Sequence, residues 1–213
     1  MDEVHRLIES KGYRFALSGS SARKLKKGRA NLLAGRAVTK HMEFLSFYEL
    51  KDFFELKRVL NWGTLPLVVL NTGQASDILS AYVHTYIKEE IKEEGIVRRT
   101  EPFIRFLEIA GIMNGQQVNK ENIARDSKVP RGTVDTYFSI LEDTLLGGFL
   151  PAFRPEAKVR EQTHPKFYWF DAGAARGAGG LLYEPLDSLW FGRSLETFIF
   201  LYGNETGRSL RGH

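Results

Sequence analysis

The chain has 213 residues, 43% hydrophobic and 26% charged, with a net charge of +4 and a pI near 9.2. That balance suits a soluble globular protein of one large or two ordinary domains and speaks against a disordered chain or a membrane protein. No apolar run reaches the roughly 20 residues that cross a bilayer, the N-terminus lacks the basic and apolar regions of a signal peptide, and without cysteine there are no disulfides, thiolate metal sites or thiol nucleophiles. A cytoplasmic location without membrane contact is the expectation.

Val4, Leu7 and Ile8 are spaced for one face of a helix, which Gly12 ends. Tyr13–Leu17 reads as a buried strand running into Ser18-Gly19-Ser20-Ser21, a polar exit of the kind found at the C-terminal edge of a parallel sheet. The following stretch from Arg23 to Lys40 carries seven Lys and Arg and no acid. Ala37–Phe44 alternates as a second strand, and Ser46 with Glu49 forms a capping box for a helix starting at Phe47. From Lys51 to Arg99 the pattern is helical, broken by turn-forming residues at 61–66 and 71–73. Within Ala75–Ile91, the residues Ile78, Leu79, Tyr82, Val83, Tyr86 and Ile87 form one apolar stripe, which predicts a long helix packed on a core.

Glu101–Met113 is predicted helical, with Pro102 in its first turn, a buried face of Phe103, Phe106, Leu107 and Ala110, and Asn114-Gly115 as its stop. Residues 118–146 carry the sharpest local pattern: a helix, a short turn and a longer helix, with Ile123, Ala124 and Val129 facing Val134, Tyr137, Phe138 and Leu141. Gly147–Phe153 and Lys166–Phe170 are β-prone, the order of a winged helix. In such a motif the start of the second helix touches bases while its neighbours hold phosphates. Lys128, Arg131, Thr133, Thr136 and Tyr137 are therefore the candidate DNA-binding residues, with Lys128 on the phosphate backbone. Asp135, Glu142 and Asp143 dilute the positive charge, and winged helices also serve as protein-binding modules, so DNA or protein is the partner expected. Glycines spaced before a Lys-Ser or Lys-Thr pair, the mark of a phosphate-binding loop, are absent, and those between Gly173 and Gly180 read as structural. The five histidines are scattered without metal-ligand spacing, so no metal site is expected.

The segments YRFALSGSSARKLKKGRANLLAGRAVTKHMEFLSFYEL, GTLPLVVL, AYVHTYIKEEI, NIARDSKVPRGTVDTYFSILEDTLL and HPKFYWFDAGAARG, in that order over nearly the whole chain, resemble a widespread family of prokaryotic AAA+-type ATPases. The resemblance implies a mixed α/β and α fold: a remnant of an AAA-type α/β core over residues 1–50, a helical lid or linker over 51–100, a winged-helix-like domain over 101–170, and the start of a C-terminal domain resembling restriction endonucleases over 171–213. It implies ATP and Mg2+ as ligands of the full-length parent, whose phosphate-binding loop and magnesium-binding aspartate lie upstream of the first of these segments. This chain alone is expected to need neither ligand and to have no ATPase activity. By the same resemblance Ser18 and Ser20 stand where sensor 1 orients the attacking water or senses the γ-phosphate, and Arg36 stands where a guanidinium can reach a phosphate. Glu196 matches a glutamate in the opening helix of the endonuclease-like domain, but the other residues of a metal centre do not follow it, and it reads as an exposed helix residue. The function expected is that of a fragment of an AAA+ ATPase bearing a winged-helix module. The alternative is a DNA- or protein-binding regulator acting through residues 119–146.

Overall fold

The computed structural model describes residues 2–17, 38, 44–87, 91, 97, 99–152 and 164–210. They are mostly helical, with one two-stranded antiparallel sheet. Helix α1 (Asp2–Lys11) stops at Gly12, whose φ of +67° is left-handed backbone that glycine adopts without a Cβ penalty. The strand expected at Tyr13–Leu17 is not formed. Tyr13, Phe15 and Leu17 are exposed and join no ladder with any described residue. Alternating apolar side chains make a strand only where a neighbour takes up the backbone hydrogen bonds and covers one face. The second expected strand, Ala37–Phe44, lies almost wholly outside the described residues.

Helix α2 (Phe47–Leu50) begins as expected, with the Glu49 carboxylate accepting the Ser46 backbone N–H at 2.8 Å. A short turn leads to α3 (Leu56–Trp62), Gly63 breaks the chain, and α4 (Pro66–Leu70) follows. Helix α5 (Ala75–Ala81) runs on through a wider π-helical turn at Tyr82–Tyr86. Leu79, Val83, Ile87 and Ile91 are buried, so the apolar stripe serves the core.

Helices α6 (Thr100–Ile112), α7 (Lys120–Ser127) and α8 (Arg131–Asp143) form the helix-turn-helix. The Asn119 side chain caps α7 by accepting the backbone N–H groups of Glu121 and Asn122 at 3.1 Å each. Strands β1 (Gly147–Leu150) and β2 (Lys166–Trp169) pair antiparallel behind α8, with Phe149 opposite Phe167. The outer edge of β2 is bridged by Gln117 and continued by the Val118 N–H donating to the Pro165 carbonyl at 2.9 Å. Phe138 joins helices to hairpin, its ring edge-on to Phe106 and Phe167 at centroid distances of 5.0 and 4.9 Å.

Helix α9 (Ala172–Ala178) is buried throughout, and α10 (Ser188–Leu210) packs outside it. Small residues let the neighbouring backbones close on α9. A Cβ on Gly173 would sit 2.1 Å from the Trp62 carbonyl oxygen, and one on Gly111 would sit 2.5 Å from the Gly179 nitrogen. Gly177 and Gly179 likewise face Val83 and the backbone of Ile112, whereas Gly180 serves by its left-handed φ of +71°. One apolar cluster runs from Val83 through the helix-turn-helix to Ala178, so residues on both sides of 101 and 170 share a core. No helix among the described residues is long and apolar enough to cross a membrane.

Candidate nucleic-acid interface

The start of α6 and the turn between α7 and α8 border an open cleft of about 420 Å³. Pro102 suits the first turn of α6, where a missing N–H has no partner to lose. Phe103, Phe106 and Leu107 commit one face of α6 to the core, which leaves Arg105 half-buried on the cleft side and Arg99 exposed just ahead of the helix. The Arg105 Nε donates to the Ser127 carbonyl at 3.1 Å, satisfying a carbonyl at the end of α7 and fixing the guanidinium beside the turn. The next residue, Lys128, ends α7 in a left-handed conformation (φ 55°) and is exposed. Val97, Pro102, Val129 and Pro130 supply the apolar lining, while Thr133 and Tyr137 enter from α8.

Among the described residues no carboxylate lines this cleft, and none of Arg99, Arg105 and Lys128 makes an ion pair. Like charges around one concavity with apolar walls focus a positive potential into it. Burial pushes the Tyr137 phenol above its ordinary value, while the charges of Arg105 and Arg99 pull it back, so its hydroxyl remains a donor at neutral pH.

The outward face of α8 has the opposite character. Arg131 donates from Nε to Glu121 at 2.6 Å and from Nη1 to Asp135 at 3.1 Å, and Lys120 also pairs with Asp135. Thr136 and Ser139 turn their hydroxyls back to the carbonyls of Gly132 and Asp135. Of the five sequence candidates, Lys128, Thr133 and Tyr137 thus meet in the cleft, whereas Arg131 and Thr136 lie on a charge-compensated face. Tyr137 is only 7% exposed, because its ring packs on Phe103 and Phe106. Arg99 and Arg105 were not singled out from sequence. The pair Arg98-Arg99 ahead of a helix start was the available signal, but bringing Arg105 beside Lys128 takes the packing of α6 on α7.

A family model for a domain of unknown function, DUF8612, matches residues 54–182. The chain belongs to this family. The matched span of the DUF8612 domain contains every residue lining the cleft, and α10 lies beyond it. No curated protein and no solved structure matches the chain.

Three further polar groupings tie elements of the DUF8612 domain to one another or to α10 and the segment before it. Asp171 caps α9, accepting the Ala174 N–H at 2.8 Å and, from the break after α3, the Thr64 N–H at 2.7 Å. Its burial pushes the carboxyl from 3.8 up to about 6, against the pull of those amides. Arg176 is buried on α9, donates to the carbonyls of Leu181 and Glu184 at 2.7 and 2.6 Å, and lies over the Trp190 ring. Glu196 on α10 accepts from Lys166 Nζ at 2.6 Å and from the Tyr168 hydroxyl at 3.1 Å, which makes it a half-exposed tie between α10 and β2. Among the described residues no three His, Asp or Glu side chains group to hold a metal ion. Ser18, Ser20 and Arg36, through which the ATPase resemblance would bring the γ-phosphate, lie outside the described residues.

Proposed function

We propose that the chain is the helix-turn-helix part of an AAA+-type ATPase and binds nucleic acid by its phosphates through the cleft of Arg99, Arg105 and Lys128. The observation that carries this reading is three cations around one concavity with no carboxylate among the described residues that line it. Phosphate neutralisation releases condensed counterions and supplies most of non-specific nucleic-acid affinity, so an uncompensated cationic cluster is the part of the molecule fitted to it. The order α6, α7, α8, β1, β2 is that of a winged helix, and the cleft lies beside the start of the second helix of the motif, among the neighbours that hold phosphates in such modules.

The outward face of α8 is the poorer candidate. A phosphate held by the remaining N–H groups of Arg131 would stand beside the Glu121 and Asp135 carboxylates that already match its charge. Surface pairs of this kind are worth only about 0–1 kcal/mol each, so it is the repulsion from the two carboxylates, and not the loss of the pairs, that opposes binding. The ATPase half of the proposal rests on the sequence resemblance alone. ATP and Mg2+ belong in it to the parent, and protein binding by the same module is the reading that remains if nucleic acid is not bound.

Anisotropy titrations of labelled duplex at several salt concentrations test this reading. Three phosphate charges neutralised in the cleft give a log–log salt slope of about −2.7, and Arg99→Gln with Lys128→Asn should flatten it by about 1.8. Asparagine tolerates the left-handed backbone at 128, so this pair of changes leaves the turn intact. Arg131→Ala should change affinity by less than about twofold, because its charge is already matched. Absence of binding, or a slope indifferent to the cleft variant, overturns the proposal.

A further inference from the structure

We infer that the group the cleft selects is a terminal phosphomonoester, carried by the phosphorylated end of a nucleic-acid strand or by a mononucleotide, in preference to an internal phosphodiester. This rests on the phosphate-binding reading above and narrows it.

Charge is the first reason. An internal diester carries one negative charge, whereas a monoester near neutral pH carries about −1.5 to −2 on three acceptor oxygens. Arg99, Arg105 and Lys128 bring three positive charges with no carboxylate among the described lining residues, more than one diester can match. Arg105 has its Nε taken by the Ser127 carbonyl, which orients the guanidinium and leaves its two terminal nitrogens for an anion. The Tyr137 and Thr133 hydroxyls add neutral donors from α8.

The lining is the second reason: the depression is open to solvent, and its volume of about 420 Å³ leaves room for a nucleotide-sized group beside the cations. Val97, Pro102, Val129 and Pro130 give the sugar and base an apolar wall beside the charged group, which a bare backbone contact would not use. Arg105 pinned on Ser127 and Tyr137 packed on Phe103 at a centroid distance of 4.9 Å are held before any ligand arrives, so little ordering opposes binding.

The test uses the full chain and one oligonucleotide sequence in four forms: 5′-phosphorylated, 3′-phosphorylated, hydroxyl-ended and covalently closed into a circle. One phosphorylated end should bind at least about tenfold more tightly than the hydroxyl-ended strand and the circle, the worth of one added charge-assisted hydrogen bond. Arg99→Gln and Lys128→Asn should each erase that preference while leaving the circular dichroism spectrum unchanged. Calorimetry with AMP, and adenosine as control, separates the two sources. AMP binding that the same substitutions abolish keeps the phosphomonoester chemistry and assigns it to a free nucleotide. Equal affinity for all four oligonucleotides, with AMP silent, overturns the inference. If that uniform binding still weakens in the cleft variants, the nucleic-acid reading survives, and if no form binds, both fall.

Discussion

Acidification should stabilise this protein relative to its Asp171→Asn variant, the reverse of the usual behaviour of a helix-capping carboxylate. Exposed caps are held below the ordinary carboxylate range by the amides they accept from. Asp171 accepts two such amides, from Thr64 and Ala174, but it is fully buried and forms no ion pair with any described residue, and burial wins. Its carboxyl rises from 3.8 to about 6 on folding, so between those values the folded state holds a proton that the unfolded chain releases. The stability this contributes is fully present below about pH 4 and is lost as pH rises through about 6. At about 1.4 kcal/mol per tenfold change in proton affinity, the whole effect is about 3 kcal/mol. Asparagine cannot titrate and the remaining groups are common to both proteins, so the difference between their unfolding free energies isolates Asp171. Urea denaturation from about pH 7 down to about pH 4 should show that difference moving by about 3 kcal/mol in favour of the wild type. A flat difference would mean that the site is wetter than the structure has it. A difference that shrinks on acidification would mean that the two amides outweigh burial, and the reasoning would be refuted.

The other expectations concern packing, a surface tie and catalysis. Gly173→Ala puts a methyl 2.1 Å from the Trp62 carbonyl oxygen, a clash with backbone that no side-chain rotation relieves, and should cost about 3 kcal/mol or prevent folding, as read by thermal melts. Lys166→Met removes the tie to Glu196, and because both side chains are partly in solvent, the loss in urea denaturation should stay under about 1 kcal/mol. Incubated with ATP and Mg2+, the chain should release no phosphate above background, since its sequence holds no phosphate-binding loop. Magnesium-dependent turnover abolished by Ser20→Ala or Arg36→Ala would contradict that.

What could be read from the sequence was local. Ile123, Val134, Phe138 and Leu141 recur at helical spacing on either side of a Pro-containing turn, so the helix-turn-helix follows from residues within one short stretch. Gly12 as a helix stop and the Ser46-Glu49 cap are also short-range and were legible. Tyr13–Leu17 misled because apolar alternation records only that a residue suits a sheet, while a strand also needs a partner, and no described residue supplies one. The Ala-Gly run of α9 gave no sign of its central position, because its small side chains make it weakly apolar. Their value lies in backbone approach, which appears only once Trp62 and Gly111 are seen against it. The cleft was half legible. Lys128, Thr133 and Tyr137 follow from the motif, but nothing local joins them to Arg99 and Arg105, and nothing local reveals that Glu121 and Asp135 occupy Arg131.

The claim that phosphates are met in the cleft and not on the outer face of α8 is tested most directly by amide chemical shifts. In a titration of isotope-labelled full chain with a 5′-phosphorylated oligonucleotide, the largest changes should fall at Arg99, Arg105, Lys128 and Thr133, with Thr136, Ser139 and Glu142 nearly still. The reverse pattern, with the outer face of α8 moving and the cleft unchanged, would contradict the account.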